Sequence, residues 1–467
     1  MTGRVAVPYR TRIAYALPAF ALAVVGIPIY VYIPKFYTDV VGVDIATIGA
    51  LLLVMRSFDA ISDPVIGALS DRTASRWGRR RPYLMFGIVP LVLSIYALFV
   101  PPLALGPGAA AWWFGITLMI AFLLWTIVTV PYESLGPEIS FDYDERTSIL
   151  GLRDGLLILG TVCAAASPIV VAKVLHLSAT AADEREKFAA VALCYAPFLI
   201  AFCWICVAGV REHARTIAAR PTSNPWREAR SLFGNRPFVI LLASYTVTAL
   251  GGNLPATLIP YYVQYVIGDP DASSFLLLYF VTGVVLLPFW IWLAKRIGKK
   301  AAWLWSGSLN AASFACVFFL GHGQSQEFAI LVAISGIGFG ATLALPSAMQ
   351  ADVIDYEELR SGHRREGEII GVWSVAKKLA AALSVGMALP ILGWVGYVPN
   401  AVQTETVQFT LRAMYALVPA FLTLLGLVIA LTYPLNKAAH QRTLIAIEDR
   451  RHGRTGLTGH DPLAAPN

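Results

Sequence analysis

The chain has 467 residues, of which 57% are hydrophobic and only 14% are charged, with a mean hydropathy of +0.64 and a formal net charge of +7. Soluble domains usually carry about 25% charged residues, so this composition excludes a soluble enzyme, a disordered protein and an ordinary nucleic-acid-binding protein. The length suits about a dozen membrane helices of ~20 residues each, together with their loops.

Apolar segments of helix length recur along the whole chain. We predict twelve membrane spans near residues 12–38, 47–70, 83–104, 111–135, 149–175, 188–210, 237–265, 273–295, 301–321, 327–350, 367–393 and 409–434. The longest polar connection divides them into six plus six, which predicts an all-α membrane protein of two six-helix bundles. The expected parts are an N-terminal bundle (1–210), a cytoplasmic central loop (211–236), a C-terminal bundle (237–434) and a disordered cytoplasmic tail (435–467).

The basic residues indicate an orientation. Most of the 36 lysines and arginines fall in alternate loops, and all of these loops would face one side of the membrane. Because positive charge accumulates on the cytoplasmic side, we expect both termini in the cytoplasm, and we expect a monomer in a bacterial inner membrane. The basic composition is then explained by topology, without a nucleic-acid partner.

Span two carries charges at a depth where each costs about 3 kcal/mol or more. Asp59 and Asp63 are spaced i, i+4 and share one helix face, and Ser62 adds a hydroxyl on the same side. Two carboxylates and a hydroxyl form a plausible oxygen cage for a small hard cation. Proton binding is an alternative, since close carboxylates favour protonation of one of them. A third alternative is structural: Arg56, three residues before Asp59, neutralises it.

Other spans also carry polar side chains that an apolar environment penalises. Thr126, Thr129 and Glu133 share one face of span four, and Arg153 lies near the start of span five. These residues are candidates for a polar site between the helices.

Lys377 lies at about mid-depth in span eleven and needs an acidic partner there. Asp59 and Asp63 are the obvious candidates, and such a contact would cross a central cavity between the two halves. The alternative is a purely structural ion pair.

Aromatic side chains in the spans are candidates for lining such a cavity, where sugars often stack on rings. Packing within the bundle or at the membrane interface is the competing interpretation. The candidates are Tyr30, Trp125, Tyr262 and Trp373.

Charged loops recur at matching places in the two halves. "SDRTASRWGRRR" (70–81) corresponds to "AKRIGKK" (294–300), and "PEISFDYDERT" (137–147) corresponds to "ADVIDYEELRSGHRRE" (351–366). Matching loops indicate two parallel repeats, and their charges at the membrane edge predict an inner gate of salt bridges and hydrogen bonds between spans. The predicted gate residues are Asp71, Arg72, Arg79, Asp142, Arg146, Asp355 and Arg364.

Three separated motifs resemble a known family. "RSFDAISDPVIGALSDRTASRWGRRRPYL" (56–84), "VPYESLGPEISFDYDERTSI" (130–149) and "ADVIDYEELRSGHRREG" (351–367) are similar to the glycoside–pentoside–hexuronide:cation symporters, the melibiose-permease branch of the major facilitator superfamily. "FYTDVVGVD" (36–44) resembles them as well. The resemblance implies twelve helices, alternating access and sugar uptake coupled to Na+, Li+ or H+, with no other cofactor or metal. It implies a cation site at Asp59, Ser62, Asp63 and Thr126, and it matches Lys377 to the helix-eleven lysine of the family.

The resemblance also locates the substrate site and its departures. Two sugar-binding aspartates of the melibiose-type members correspond to Ala23 and Thr129, and a sugar-stacking tryptophan corresponds to Glu133. Tyr30 and Arg153 retain the family pattern. The cation half of the site is therefore expected to be retained and the melibiose half altered, which leaves a glycoside, an organic anion or a lysolipid open.

We therefore predict a secondary transporter that moves a small organic solute, most simply a sugar or glycoside, together with a cation. A sodium-dependent transporter of lysophospholipids or other amphiphiles is the first alternative. A membrane-embedded enzyme is the second and has little support, since the seven histidines form no HExxH motif or paired cluster and no nucleophile elbow occurs.

Overall fold

The computed structural model of the chain describes residues 7–73, 75–140, 143–178, 180–210, 212, 230–362 and 365–451. In these ranges the regular structure is helical, which confirms the predicted all-α class. The helices are α1 Tyr9–Val41, α2 Ile45–Arg72, α3 Arg81–Phe99, α4 Pro107–Ile139, α5 Tyr143–Val174, α6 Ala181–Gly209, α7 Arg236–Ile267, α8 Ala272–Val285, α9 Leu287–Ile297, α10 Lys299–Val317, α11 Ser325–Ser361, α12 Glu366–Trp394, α13 Glu405–Leu431 and α14 Lys437–Arg451.

Ten helices of the described ranges are long and apolar enough to cross a membrane. The count rises to eleven when α8 and α9, which meet at a bend of 43°, form one span. The predicted span at 301–321 corresponds to α10, a helix of 19 residues. Its two lysines, its serines and Asn310 make it less apolar than the others, so it falls outside this group. Counted with the other eleven, it completes the twelve expected helices.

Local sequence signals explain where the first two helices end and begin. Gly42 follows α1 with a φ of +87°, a left-handed conformation that glycine adopts without strain. Two residues later Asp44 caps α2, because its side chain accepts a hydrogen bond from the Thr47 backbone N–H at 2.8 Å. The ends of α1 and α2 are thereby fixed next to each other in the chain.

The chain forms two compact units. Unit 1 comprises Met1–Ala218, Ala256–Leu277 and Val385–Leu411, and unit 2 comprises Ala219–Pro255, Leu278–Ser384 and Arg412–Asn467. Their boundaries fall inside α7, α8, α12 and α13, so segments C-terminal to the central loop pack with the first six helices. The predicted division into bundles at 1–210 and 237–434 stays a prediction.

Each unit has an aromatic core of its own. In unit 1 the buried rings of Tyr37 and Phe114 lie 4.6 Å apart. In unit 2 the buried core includes Phe238, Trp290 and Trp303. Burial of such rings supplies much of the packing that holds the helices of a unit together.

The expected disorder of the tail is wrong for its first part. Residues Lys437–Arg451 form α14, whose Thr443 is fully buried and whose His440 Nε2 lies 3.1 Å from Asp355 Oδ2 of α11. Small and hydroxyl side chains give this polar segment one face that packs against the rest of unit 2. The overall polarity of the segment hid this face from prediction. Residues 452–467 lie outside the described part of the chain.

Candidate cation-binding site

Two helices of unit 1, α2 and α4, carry the predicted cation site. Small residues bring them close: a Cβ added to Gly115 of α4 would lie 3.2 Å from Leu51 of α2, and one added to Gly67 would lie 3.6 Å from Val130. The close approach lets short side chains on the two facing surfaces touch. Asp59 and Ser62 are buried, and Thr126 is fully buried.

The structure brings the four predicted cation-site residues together. The Thr126 hydroxyl lies 2.9 Å from Asp59 Oδ1 and 3.1 Å from Asp63 Oδ1. Ser62 donates to the Asp59 backbone carbonyl at 3.0 Å, and its oxygen lies 3.4 Å from Thr126 Oγ1. Three side chains of α2 and one of α4 thus form a compact group of oxygens.

The chemistry of this group follows from its oxygens. A threonine hydroxyl has one hydrogen, so it donates fully to only one of the two carboxylates at a time. The two carboxylate oxygens around it are at most about 6 Å apart, given the 2.9 Å and 3.1 Å distances. At an effective dielectric constant of about 20, like charges at that separation repel by about 3 kcal/mol. A small cation or a proton among these oxygens relieves the repulsion.

Arg56 lies beside an aromatic ring as well as near Asp59, and the prediction that it neutralises Asp59 stays a prediction. Its guanidinium carbon lies 4.3 Å from the centre of the Tyr30 ring, a cation–π arrangement. Its Nε is buried without a hydrogen-bond partner. Arg56 still lies within electrostatic range of Asp59, so it contributes positive potential beside the site.

The predicted partners from span eleven belong to unit 2. Lys377 is exposed within α12, and Trp373 of the same helix is 8% exposed and stacks on Tyr245 with ring centres 4.3 Å apart. Trp373 is part of the unit 2 core, which favours the packing interpretation for this ring. A contact between Lys377 and Asp59 or Asp63 stays a prediction.

The remaining predicted substrate residues lie in unit 1. Ala23 packs on α5, where a Cβ added to Gly160 would lie 2.9 Å from it. The Thr129 hydroxyl donates to the Trp125 carbonyl at 2.9 Å within α4, and Glu133 of that helix is exposed. Arg153 pairs with the adjacent Asp154 at 2.7 Å. These residues are spread over α1, α4 and α5, and their role in substrate binding stays a prediction.

A sequence model of the family described as MFS/sugar transport protein matches residues 14–437. The chain belongs to this family. Its match spans almost the whole chain, which confirms the resemblance to the superfamily and its fold class. The fold is also similar to that of a D-xylose-proton symporter of known structure, with a TM-score of 0.65 and 14% identity over 91% of this chain and 97% of that one.

Relatives of the family agree with a transport function. The glucuronide carrier protein homolog of Escherichia coli (strain K12) is 28% identical over 95% of this chain and 96% of its own length. The sodium-dependent lysophosphatidylcholine symporter 1-A of Danio rerio is 26% identical over 91% of this chain and 86% of its own. The predicted class of function, cation-coupled symport of a small solute by an integral membrane protein, is thus confirmed, while the solute is left open.

The family's charged motif after span two forms a compact cluster in unit 1. Arg80 lies 2.9 Å from Asp71 and 3.1 Å from Glu138, and Arg79 lies 2.9 Å from Glu138. Glu212 completes the cluster, because it accepts hydrogen bonds from the backbone N–H groups of residues 79–81 at 2.6–2.9 Å. Such an acidic cap is favourable at the start of α3.

Of the other predicted gate residues in this part, Arg72 is exposed and Arg146 is half-buried. Asp142 lies outside the described residues.

A second cluster occupies the corresponding motif in unit 2. Glu357 is fully buried and contacts Asn235 at 2.8 Å, Arg360 at 3.0 Å and Arg365 at 3.2 Å. Asp355 contacts His440 of α14, and Arg364 lies outside the described residues. Both motifs thus form networks inside their own units.

Several of these residues were not predicted from the sequence. Glu138 and Glu357 lie in the charged motifs, but nothing in a single sequence distinguishes them from neighbouring acidic residues. Glu212 was undetectable, since its partners are backbone groups that every sequence has.

Proposed function

We propose that this protein transports a sugar or glycoside together with Na+, Li+ or H+, and that the cation binds among Asp59, Ser62, Asp63 and Thr126. The observation that carries the proposal is the Thr126 hydroxyl, which lies within 3.1 Å of both carboxylates and links α4 to α2. A glycoside is supported by the family's description as sugar transporters and by the glucuronide carrier among the relatives. A transport role accounts for these features without any enzymatic activity.

In this mechanism the cation arrives first. It relieves the repulsion between Asp59 and Asp63 and fixes α2 against α4 through Thr126. Lys377, if it pairs with these carboxylates in the empty carrier, is then released. The ordered helices complete the substrate site, so each ligand raises the affinity for the other by the same factor.

The same proposal includes an orientation. Because most basic residues fall in alternate loops, both termini face the cytoplasm of a bacterial cell, and the carrier works as a monomer in the inner membrane. The 71–81 and 351–366 segments then lie at the cytoplasmic end, where their networks serve as the inner gate.

Uptake into proteoliposomes tests the proposal. Glucosides, galactosides, hexuronides and lysophospholipids are offered separately under imposed Na+, Li+ or H+ gradients. We expect one glycoside class to accumulate with one of the cations and to lose accumulation in Asp59→Asn. Accumulation that persists in Asp59→Asn contradicts the cation role of this site.

Lysophospholipid is the second candidate solute, because a relative of similar identity is a sodium-dependent lysophosphatidylcholine symporter. The same panel separates the two candidates. Sodium-driven uptake of lysophosphatidylcholine with no uptake of any glycoside replaces the first proposal by the second and leaves the cation site unchanged.

A further inference from the structure

A second buried carboxylate of unit 1, Asp39, lies near the end of α1, and its side chain is 4% exposed. Lys35 contacts one of its oxygens at 2.6 Å, and the Tyr265 hydroxyl donates to the same oxygen at 3.0 Å. The Tyr397 hydroxyl donates to the other oxygen at 2.8 Å, and Thr38 lies 2.8 Å from it. One ammonium group and two phenol hydroxyls therefore donate to this carboxylate, and the Thr38 hydroxyl is shared between it and the Lys35 carbonyl at 2.9 Å.

The partners of Asp39 come from its own helix and from two distant parts of the chain. Tyr265 belongs to the end of α7, while Tyr397 and Asn400 follow α12. Asn400 donates its side-chain amide to the Asp39 backbone carbonyl at 2.7 Å and its backbone N–H to the Tyr265 hydroxyl at 2.9 Å. Lys35 also donates to Gln264. The contacts tie the ends of α7 and α12 to the end of α1.

The two helices that adjoin this cluster in the chain, α2 and α12, cross each other closely. A Cβ added to Gly49 of α2 would lie 2.4 Å from the Pro390 ring of α12, and one added to Gly386 would lie 2.5 Å from the Leu53 Cβ. Distances below 3.0 Å force something to move, so this crossing requires glycine at both positions. The crossing packs the first half of α2 tightly against the second half of α12.

The Tyr397 hydroxyl keeps its proton over the ordinary pH range. Burial, and then the nearby negative charge of Asp39, raise the pKa of Tyr397 well above its usual range. The phenol therefore stays a hydrogen-bond donor, so titration of Tyr397 does not break the cluster.

The positions of these contacts in the sequence relate them to transport. A symporter has to open its two ends in turn, and α1 and α2 belong to the first half of the chain while α7 and α12 belong to the second. Contacts between such segments have to break whenever this end opens. Hydrogen bonds suit this use, because water replaces them at a small net cost.

We propose that Asp39, Lys35, Thr38, Tyr265, Tyr397 and Asn400 form a latch that holds the solute pathway closed at the end of α2 opposite to the 71–81 segment. The inference rests on the proposed symport but not on the identity of the solute or the cation. In this arrangement Asp39 is the hub, and the glycine crossing is the packed surface on which the latch closes.

Hydrogen exchange of the full-length protein in lipid nanodiscs tests the latch. In Asp39→Asn the Lys35 ion pair is lost, and we expect amides of 256–268 and 386–400 to exchange at least ~10-fold faster, with 325–361 unchanged. Tyr397→Phe should give a smaller rise in the same segments. Because both act through one contact, the double variant should exchange no faster than Asp39→Asn alone.

Two matched controls accompany these variants. Asp44→Asn removes a charge five residues away at the exposed α2 cap, where asparagine also caps, and should leave exchange unchanged. Gly386→Ala should open the same segments as Asp39→Asn, whereas Gly371→Ala, on the same helix with nothing within 4 Å of an added Cβ, should not.

Transport separates a latch from a merely structural contact. Asp39→Asn should change the rate of solute exchange across the membrane at least ~5-fold while the equilibrium affinity for NaCl or LiCl, measured on the same protein, stays within ~2-fold. A uniform rise in exchange that includes 325–361, or no change in exchange, overturns the latch. Absence of Na+ binding, Li+ binding and proton uptake or release in the wild-type protein contradicts the proposed symport instead, so the two failures are distinguishable.

Discussion

Two carboxylate clusters of unit 1 use the same kinds of side chain in different proportions. At the latch, one carboxylate, Asp39, is surrounded by an ammonium group and three hydroxyls. At the cation site, two carboxylates, Asp59 and Asp63, converge on one threonine hydroxyl. In the first cluster an ammonium group contacts the single carboxylate, whereas in the second two carboxylates lie close to one hydroxyl, with Arg56 in electrostatic range of Asp59.

The difference distinguishes a carboxylate that stabilises helix packing from a pair of carboxylates that attracts a cation. A buried carboxylate that side chains satisfy stabilises one arrangement of helices, and its loss costs stability or shifts a conformational equilibrium. Two carboxylates that share a donor repel each other and bind a positive ligand that relieves the repulsion. Variants of the two kinds of cluster should therefore affect different measurements.

The largest effect is expected at the paired carboxylates. Each of the single variants Asp59→Asn and Asp63→Asn removes half of the negative charge that attracts the cation. In each, gradient-driven accumulation in proteoliposomes should be lost and cation affinity should fall by about 100-fold. A repulsion of about 3 kcal/mol at this spacing corresponds to a change of that order. The exposed Asp44→Asn is the control and should accumulate solute normally. Unchanged accumulation in both site variants would show that the pair is structural.

Glu357 tests the structural kind of cluster, because it is buried and paired with neighbouring side chains as Asp39 is. Glu357→Gln removes the buried carboxylate beside Arg365, which keeps Glu368, and should lower the free energy of unfolding by about 2 kcal/mol. Thermal unfolding of the detergent-solubilised protein measures this loss, and cation affinity should not change. Glu327→Gln, at an exposed position in the first turn of the same helix α11, should leave the melting temperature near that of the wild type. A loss of cation affinity without a loss of stability would remove the distinction between the clusters.

Thr126 contributes the shared hydroxyl, and its removal should have an intermediate effect. Thr126→Val preserves the volume but leaves both carboxylates without this donor, so we expect cation affinity to weaken about 10-fold, or about 1.4 kcal/mol. Thr126→Ser keeps the hydroxyl and should restore most of the affinity. Titration calorimetry of the two variants side by side makes the comparison. Equal affinities for valine and serine variants would show that the hydroxyl is no ligand.

Ser62 should have the smallest effect. Its hydroxyl donates to a backbone carbonyl and lies 3.4 Å from Thr126, which is long for a hydrogen bond. Ser62→Ala should therefore reduce cation affinity by about 3-fold or less in the same titration. A loss as large as that of Thr126→Val would place this oxygen among the direct ligands.

Much of the fold and the core of the site followed from the sequence. Apolar runs and basic loops predicted the helices, and the i, i+4 spacing placed Asp59 and Asp63 on one face because α-helical geometry is regular. The contact with Thr126 came from the family resemblance, since no local rule states which face of α4 meets α2.

Other features depended on long-range packing that a single sequence does not reveal. Asp39 lies in the 36–44 motif and Lys35 just before it, spaced i, i+4, but their partners Gln264, Tyr265 and Tyr397 lie more than 200 residues away. The stacking of Arg56 on Tyr30 and the docking of α14 through Thr443 have the same origin. Such contacts are decided by which helices meet, and the sequence constrains this only weakly.

The most direct test of the central claim is equilibrium binding of the coupling cation to the purified protein. Calorimetric titration with NaCl and LiCl at constant ionic strength, together with proton release measured over pH 5–8, covers the three proposed ions. The account predicts saturable binding of at least one ion to the wild type and none to the Asp59→Asn/Asp63→Asn double variant. A double variant that binds the same ion with wild-type affinity would contradict it.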